Sequence, residues 1–98
     1  MQVDTVIENV DVVILESFPM QLHLNVKGYQ PDGCDFPVLI EQQGEGNNIN
    51  VHIYREVPTD VMCAMMLAPY EDTIVLEGGF ESKIVTIKVN EFTVNVDL

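Results

Sequence analysis

The chain has 98 residues, 47% of them hydrophobic, and sixteen acids against four bases give a formal charge of −12. That length closes one domain, residues 1–98, around one core. The acidity argues against nucleic acid and anionic membrane as partners, because affinity for phosphate comes from clustered Lys and Arg. The longest apolar run, residues 61–68, is still far short of the roughly 18 residues that span a bilayer, so membrane insertion is not expected.

Taken in order, the chain opens on Met1-Gln2-Val3-Asp4 without a basic region followed by an apolar one. The expectation is a protein that stays inside or one whose leader was removed. Residues 3–10 read as an edge strand. Residues 12–15 are apolar on both faces and read as a more central strand. Ser17-Phe18-Pro19 breaks the chain. From Met20 to Gly28, Leu22, Leu24 and Val26 alternate with His23, Asn25 and Lys27. Pro31-Asp32-Gly33 is a turn: Pro presets φ, Asp bonds its own backbone, and Gly supplies a positive φ. Residues 38–43 form a short strand, and Gly44-Glu45-Gly46-Asn47-Asn48 a hairpin loop. In the next strand Ile49, Val51 and Ile53 alternate with Asn50, His52 and Tyr54.

Residues 57–70 are the least regular stretch. The spacing of Val61, Met65 and Ala68 allows one helical turn between Pro58 and Pro69. Residues 74–76 are strand-like, and Gly78-Gly79 marks a turn. Val85, Ile87 and Val89, then Phe92, Val94, Val96 and Leu98, complete two more alternating strands. Asn90-Glu91 joins them as a two-residue hairpin loop. Asn tolerates the first left-handed position there, whereas Gly suits the second better than Glu.

Alternation with one apolar face is the mark of antiparallel strands packed on one side only. The expected fold is all-β: an antiparallel two-sheet β-sandwich, immunoglobulin-like, of seven or eight strands. The chain has no Trp, and its cysteines do not fall mid-strand, so both marks of antibody domains are missing.

Cys34 and Cys63 are the two cysteines. They are not in a C-x-x-C, which removes the usual redox and zinc motifs. In an acidic domain this small the pair reads as a disulfide and points to an oxidising location, the cell envelope or the exterior. Such a bond pins the loop after Gly28 to the connection around residues 61–68. The alternative is two separate buried thiols.

Three stretches carry a resemblance. Glu16-Ser17-Phe18-Pro19-Met20-Gln21-Leu22-His23 leads into Gly28-Tyr29-Gln30-Pro31-Asp32-Gly33-Cys34. Arg55 is followed by Met62-Cys63 and Pro69-Tyr70-Glu71. Lys88-Val89-Asn90-Glu91-Phe92 comes near the end. The pattern resembles a small, largely uncharacterised domain of secreted and lipid-anchored bacterial proteins. Glu91 departs from it, since that family usually has Gly there. The resemblance implies a β-sandwich, a Cys34–Cys63 disulfide and an export route, and no activity.

Little in the chain supplies catalysis. Ser17 and Ser82 are the only serines, and His23 and His52 the only histidines, both on polar strand faces. No G-x-S-x-G occurs. The expectation is a non-enzyme without a cofactor. Asp32 and Asp35 flank Cys34, and Glu71-Asp72 lies further on. A disulfide that drew these four acids together would make a calcium site of carboxylate and carbonyl oxygens possible, although solvated surface charge is the plainer account of them.

Met62-Cys63-Ala64-Met65-Met66 is the most unusual stretch. Soft sulfur ligands select Cu(I), and small periplasmic copper carriers are β-sandwiches with a Met-rich loop. Against this, residues 53–76 hold no His, and Met is a common filler of irregular core gaps. A third reading, a small protein inhibitor of an enzyme, rests on a superficial echo of chagasin-like inhibitors in Gly44-Glu45-Gly46 and Val57-Pro58-Thr59. The leading expectation is a binding or structural module. Its contact surface would include Tyr54, whose ring falls on a polar face, or an edge strand open to a protein partner or a second copy.

Overall fold

The computed structural model describes residues 1–15, 21–76 and 84–97. The Ser17-Phe18-Pro19 break, the Gly78-Gly79 turn and Leu98 lie outside the described residues. Those residues form eight strands and no helix: β1 (Gln2–Asp4), β2 (Val6–Leu15), β3 (Gln21–Gln30), β4 (Leu39–Glu45), β5 (Asn48–Glu56), β6 (Ala68–Val75), β7 (Ile84–Val89) and β8 (Phe92–Asp97). They make two sheets, a β-sandwich as the alternation requires. One sheet contains β1, β4, β5, β7 and β8, and the other runs β2-β3-β6.

The inward faces are the apolar phases of the alternating strands. Leu22, Leu24 and Val26 of β3 meet Ile49, Val51 and Ile53 of β5, with Val85, Ile87 and Val89 of β7 beside them. All nine are buried. Each such side chain contributes about 1.5–3 kcal/mol when fully removed from water.

In the larger sheet β5 has β4 along one edge and two strands along the other. Asn48–Val51 pair with β7 in parallel, and Tyr54–Glu56 pair with β1 antiparallel. The expectation of a wholly antiparallel sandwich is corrected by the β5–β7 pair. Between its two partners β5 faces a gap, and Asn90 fills it. Its backbone N–H donates to the Val51 carbonyl at 3.0 Å. Its side-chain oxygen accepts from the Ile53 N–H at 2.8 Å. Its Nδ2 donates to the carbonyls of Ile53 at 2.9 Å and Thr5 at 2.7 Å. One amide thus carries the ladder across the change of partner, leaving no strand backbone there unpaired.

Asn90 does this from the first position of the β7–β8 hairpin, at φ 52°. Among the described residues it is the only non-glycine at positive φ. The loop therefore asks for one left-handed residue, and Glu91 needs none, which is why Glu is accommodated there.

Two expectations near the chain start are corrected. Residues 3–10 are not one strand, because the chain changes sheet at Thr5. This buried residue donates its N–H to the Ile53 carbonyl at 3.1 Å. Residues 12–15 are not central either, since among the described residues β2 pairs only with β3, and Val13, Ile14 and Leu15 are exposed. The β2–β3 register shifts between Ile7 and Asn9. Opposite this bulge a Cβ on Gly28 would lie 1.9 Å from the Val6 carbonyl oxygen, so only glycine fits.

Elsewhere the differences are local. The β4–β5 loop is shorter than expected, a two-residue turn at Gly46-Asn47 with Gly46 at φ 61°. Residues 61–67 form a loop and not a helical turn, and β6 begins at Ala68. Pro69 is tolerated in β6 because, among the described residues, that strand pairs only with β3 and lies at the sheet edge.

Replacing Asn90 tests the bridge. Asn90→Ala should cost about 2–4 kcal/mol, from three lost hydrogen bonds and the left-handed backbone. Asn90→Gly should recover about 1 kcal/mol of that by relieving the backbone alone. Urea unfolding of the three proteins measures both differences.

Candidate functional site

At one end of the sandwich the apolar alternation stops on polar side chains. Arg55 follows Ile49, Val51 and Ile53 on the inward face of β5, and Gln30 follows Leu22, Leu24 and Val26 on that of β3. Arg55 is 1% exposed and Gln30 8%. A buried guanidinium is stable only if its charge and donors are answered. Its Nη1 donates to Asp32 Oδ1 at 2.9 Å and to the Cys34 carbonyl at 2.5 Å. Asp32 also accepts from the Cys34 N–H at 3.0 Å, closing the turn as its sequence suggests. The Arg55 hydrogen bond holds the Asp32 carboxyl below its ordinary range, against a smaller opposing effect of burial.

Gln30 is placed by Thr5, whose hydroxyl donates to its side-chain oxygen at 3.0 Å. Three donors at this end have no partner among the described residues: Nε and Nη2 of Arg55 and Nε2 of Gln30. Each such group costs about 1–3 kcal/mol while unsatisfied. Both side chains line a cavity of about 360 Å³, whose remaining wall includes Phe36, Val38, Met66, Pro69 and the ring of Tyr70. Burial, reinforced by Asp72 beside it, pushes the Tyr70 phenol up to about 12.

Cys34 and Cys63 come together here as a disulfide, with their Cα atoms 5.0 Å apart. It ties the turn after β3 to the loop 61–67. A backbone hydrogen bond from the Gly33 N–H to the Ala64 carbonyl, at 2.8 Å, lies beside it. Gly33 does not have the positive φ expected of it. Its role is close approach, since a Cβ there would sit 3.0 Å from the Ala64 oxygen. The stapled loop exposes its apolar residues. Met62 is 99% and Met65 101% exposed, and Val61, Met66 and Leu67 are also exposed. These methionines do not fill the core.

The acids do not converge as a calcium site requires. Asp32 faces Arg55, Asp72 accepts from Tyr70, and Asp35 and Glu71 are exposed. Among the described residues no group of three or more His, Cys, Asp or Glu is placed to hold a metal ion. Tyr54 is half-buried, stacked on His52 with ring centroids 4.5 Å apart, and its hydroxyl donates to Glu41 at 2.8 Å. Its polar edge is already engaged within the sheet. His52 and Asp4 approach to 2.8 Å beside a second depression of about 390 Å³ on the outer face. No Ser, Thr or Cys lines that depression.

Arg55 and Gln30 are absent from the site residues expected from sequence. Their signal was positional: a charged and an amide side chain in the inward phase of otherwise apolar strands.

Two measurements follow from these contacts. Replacing both Cys34 and Cys63 by Ser should cost about 3–4 kcal/mol in the chain-entropy model, for a sequence separation of 29, read by urea unfolding. Asp32→Asn should cost about 2 kcal/mol at pH 7 by weakening a charge-assisted contact to Arg55. Because the folded Asp32 is held below 3.8, its contribution is complete above that value. It is lost as pH falls through the lower folded one. The gap between wild type and Asp32→Asn should therefore close in unfolding curves taken at progressively lower pH.

Comparison with known proteins gives a family. The model of the ORF11 beta-sandwich domain matches residues 24–98. An uncharacterised 10.2 kDa protein of the HgiCIIM 5' region of Herpetosiphon aurantiacus is 32% identical over 85 residues, covering 87% of this chain and 90% of that protein. Another from the same organism, in the HgiBIM 5' region, is 31% identical over 75 residues, covering 76% and 92%. No solved structure matches the chain. With the matched residues running from β3 through β8, the chain belongs to the ORF11 beta-sandwich domain family.

Proposed function

We propose that this chain is a non-catalytic binding module of a secreted or cell-envelope bacterial protein, and that the stapled end of the sandwich is its contact surface. The observation that carries the reading is the loop 61–67. Its apolar side chains, Met62 and Met65 above all, stand in solvent on a segment anchored by Cys63. Exposed apolar side chains are costly to keep unless something covers them. Methionine suits a contact surface because its unbranched chain adapts to a partner's shape. A rigid scaffold presenting a tethered loop is a common design for recognition. The disulfide supports an oxidising compartment.

A Cu(I) site formed by Met62, Met65 and Met66 is the second reading. It is favoured by one point: these thioethers are exposed and not consumed by packing.

The double variant Met62→Ser/Met65→Ser separates the two from a purely structural role. The oxidised wild-type domain should bind a partner identified by affinity capture and confirmed with purified components in calorimetry. The variant should bind it at least about tenfold more weakly, as loss of two buried apolar contacts implies, with unchanged unfolding. Turnover of a substrate by the domain, or equal binding by the variant, defeats the proposal. A rise in melting temperature with Cu(I) in wild type alone would establish the second reading.

A further inference from the structure

The cavity beneath the stapled loop has donors to give and no net charge to offer. Arg55 keeps Nε and Nη2 unpartnered among the described residues, and Gln30 keeps Nε2. Its Nη1 already meets Asp32, so the guanidinium charge is answered within the chain. Asp35 also lines the cavity, and the chain carries −12. A second carboxylate entering here would meet repulsion, with no free cation among the described lining residues to balance it. An uncharged acceptor would not. The neighbouring walls, Phe36, Val38, Pro69 and Tyr70, suit an aliphatic body.

A carbonyl beside an aliphatic side chain is the repeating chemistry of an apolar peptide segment. We infer that this cavity receives an apolar residue of a partner's peptide, whose backbone carbonyl accepts hydrogen bonds from Arg55 and Gln30. The inference rests on the binding-module reading and adds what the partner inserts. Met66 lines the cavity and is itself exposed. The Arg55 and Gln30 donors are buried, so a carbonyl reaches them only if side chains lining the cavity give way, and Met66 is the most adaptable of these. Its three rotatable bonds permit this.

The test uses the intact oxidised chain and a matched pair of probes. N-acetyl-leucinamide carries the carbonyl and the aliphatic group without charge, and N-acetyl-leucine adds a carboxylate. The amide should bind saturably in calorimetry. In NMR it should shift the Arg55 Nε–H and the Gln30 side-chain amide resonances. N-acetyl-leucine should bind at least about tenfold more weakly. Gln30→Met, which removes the donor together with the acceptor of the Thr5 hydroxyl and keeps the bulk, should weaken the amide at least about fivefold. Arg55→Met should abolish binding if it folds, and Gln30→Met carries the test if it does not. Absence of amide binding, tighter binding of N-acetyl-leucine, or undiminished affinity in Gln30→Met would each overturn the inference. None of those results touches the loop-variant experiment, on which the binding-module reading stands or falls separately.

Discussion

The arrangement of this domain's loop end depends on one buried cation. A guanidinium between two sheets is tolerable only with a carboxylate and a carbonyl against it, and both come from the turn after β3: Asp32 and the Cys34 carbonyl. Arg55 therefore fixes that turn against β5. The disulfide then fixes residues 61–67 against the turn, and the Gly33–Ala64 backbone bond holds their separation. The chain of constraint runs from a strand interior to an exposed loop in three links. Each is specific in geometry, which an apolar filling of the same volume would not be. The cost is two guanidinium donors left without partners among the described residues.

The larger sheet solves a different problem. A strand that changes partner midway leaves backbone groups facing a gap, and such groups are costly when buried. Asn is suited to this place for two reasons at once. Its amide reproduces the donor and acceptor of a peptide group, so Asn90 can pair with Ile53 on both counts. It also tolerates the left-handed backbone that a two-residue hairpin demands. Glycine would meet only the second need and Gln, with a longer reach, only the first. The switch in turn lets the chain leave at Thr5 for the other sheet. Thr5 orients Gln30, so the hairpin and the cavity share a common support.

Much of the fold was legible because period-two alternation records which face is buried at each strand. It assigned Leu22, Leu24, Val26, Ile49, Val51, Ile53, Val85, Ile87 and Val89 to the core, where they lie. Alternation does not record which strands pair. The parallel β5–β7 pair and the crossing at Thr5 depend on contacts far apart in sequence, and no local residue pattern encodes them. The candidate site was legible only in part. The cysteines and Asp32 stood out by residue type. Arg55 and Gln30 do not stand out by residue type, because their importance lies in phase, being polar where the strand pattern calls for an apolar residue. Met62, Met65 and Met66 show the opposite: residue type suggests a core filler, but the loop tethered at Cys63 and by the Gly33–Ala64 bond leaves them exposed.

The exposed loop and the unsatisfied cavity are best understood together. Either alone is weak evidence, because single exposed apolar residues are ordinary and buried donors are often met by water. Here the two adjoin, and Met66 belongs to both. Each represents free energy left unspent in the isolated domain: apolar area still wet on one side, and hydrogen-bond capacity still unmet on the other. A single peptide laid across the loop, with one residue entering the cavity, would recover both terms at once. Rigidity from the disulfide lowers the ordering entropy such binding would otherwise cost. Local stability could have been raised by an inward Leu at position 55 and a polar loop. The chain has neither, which is the pattern expected where a surface is kept ready for something else to complete it.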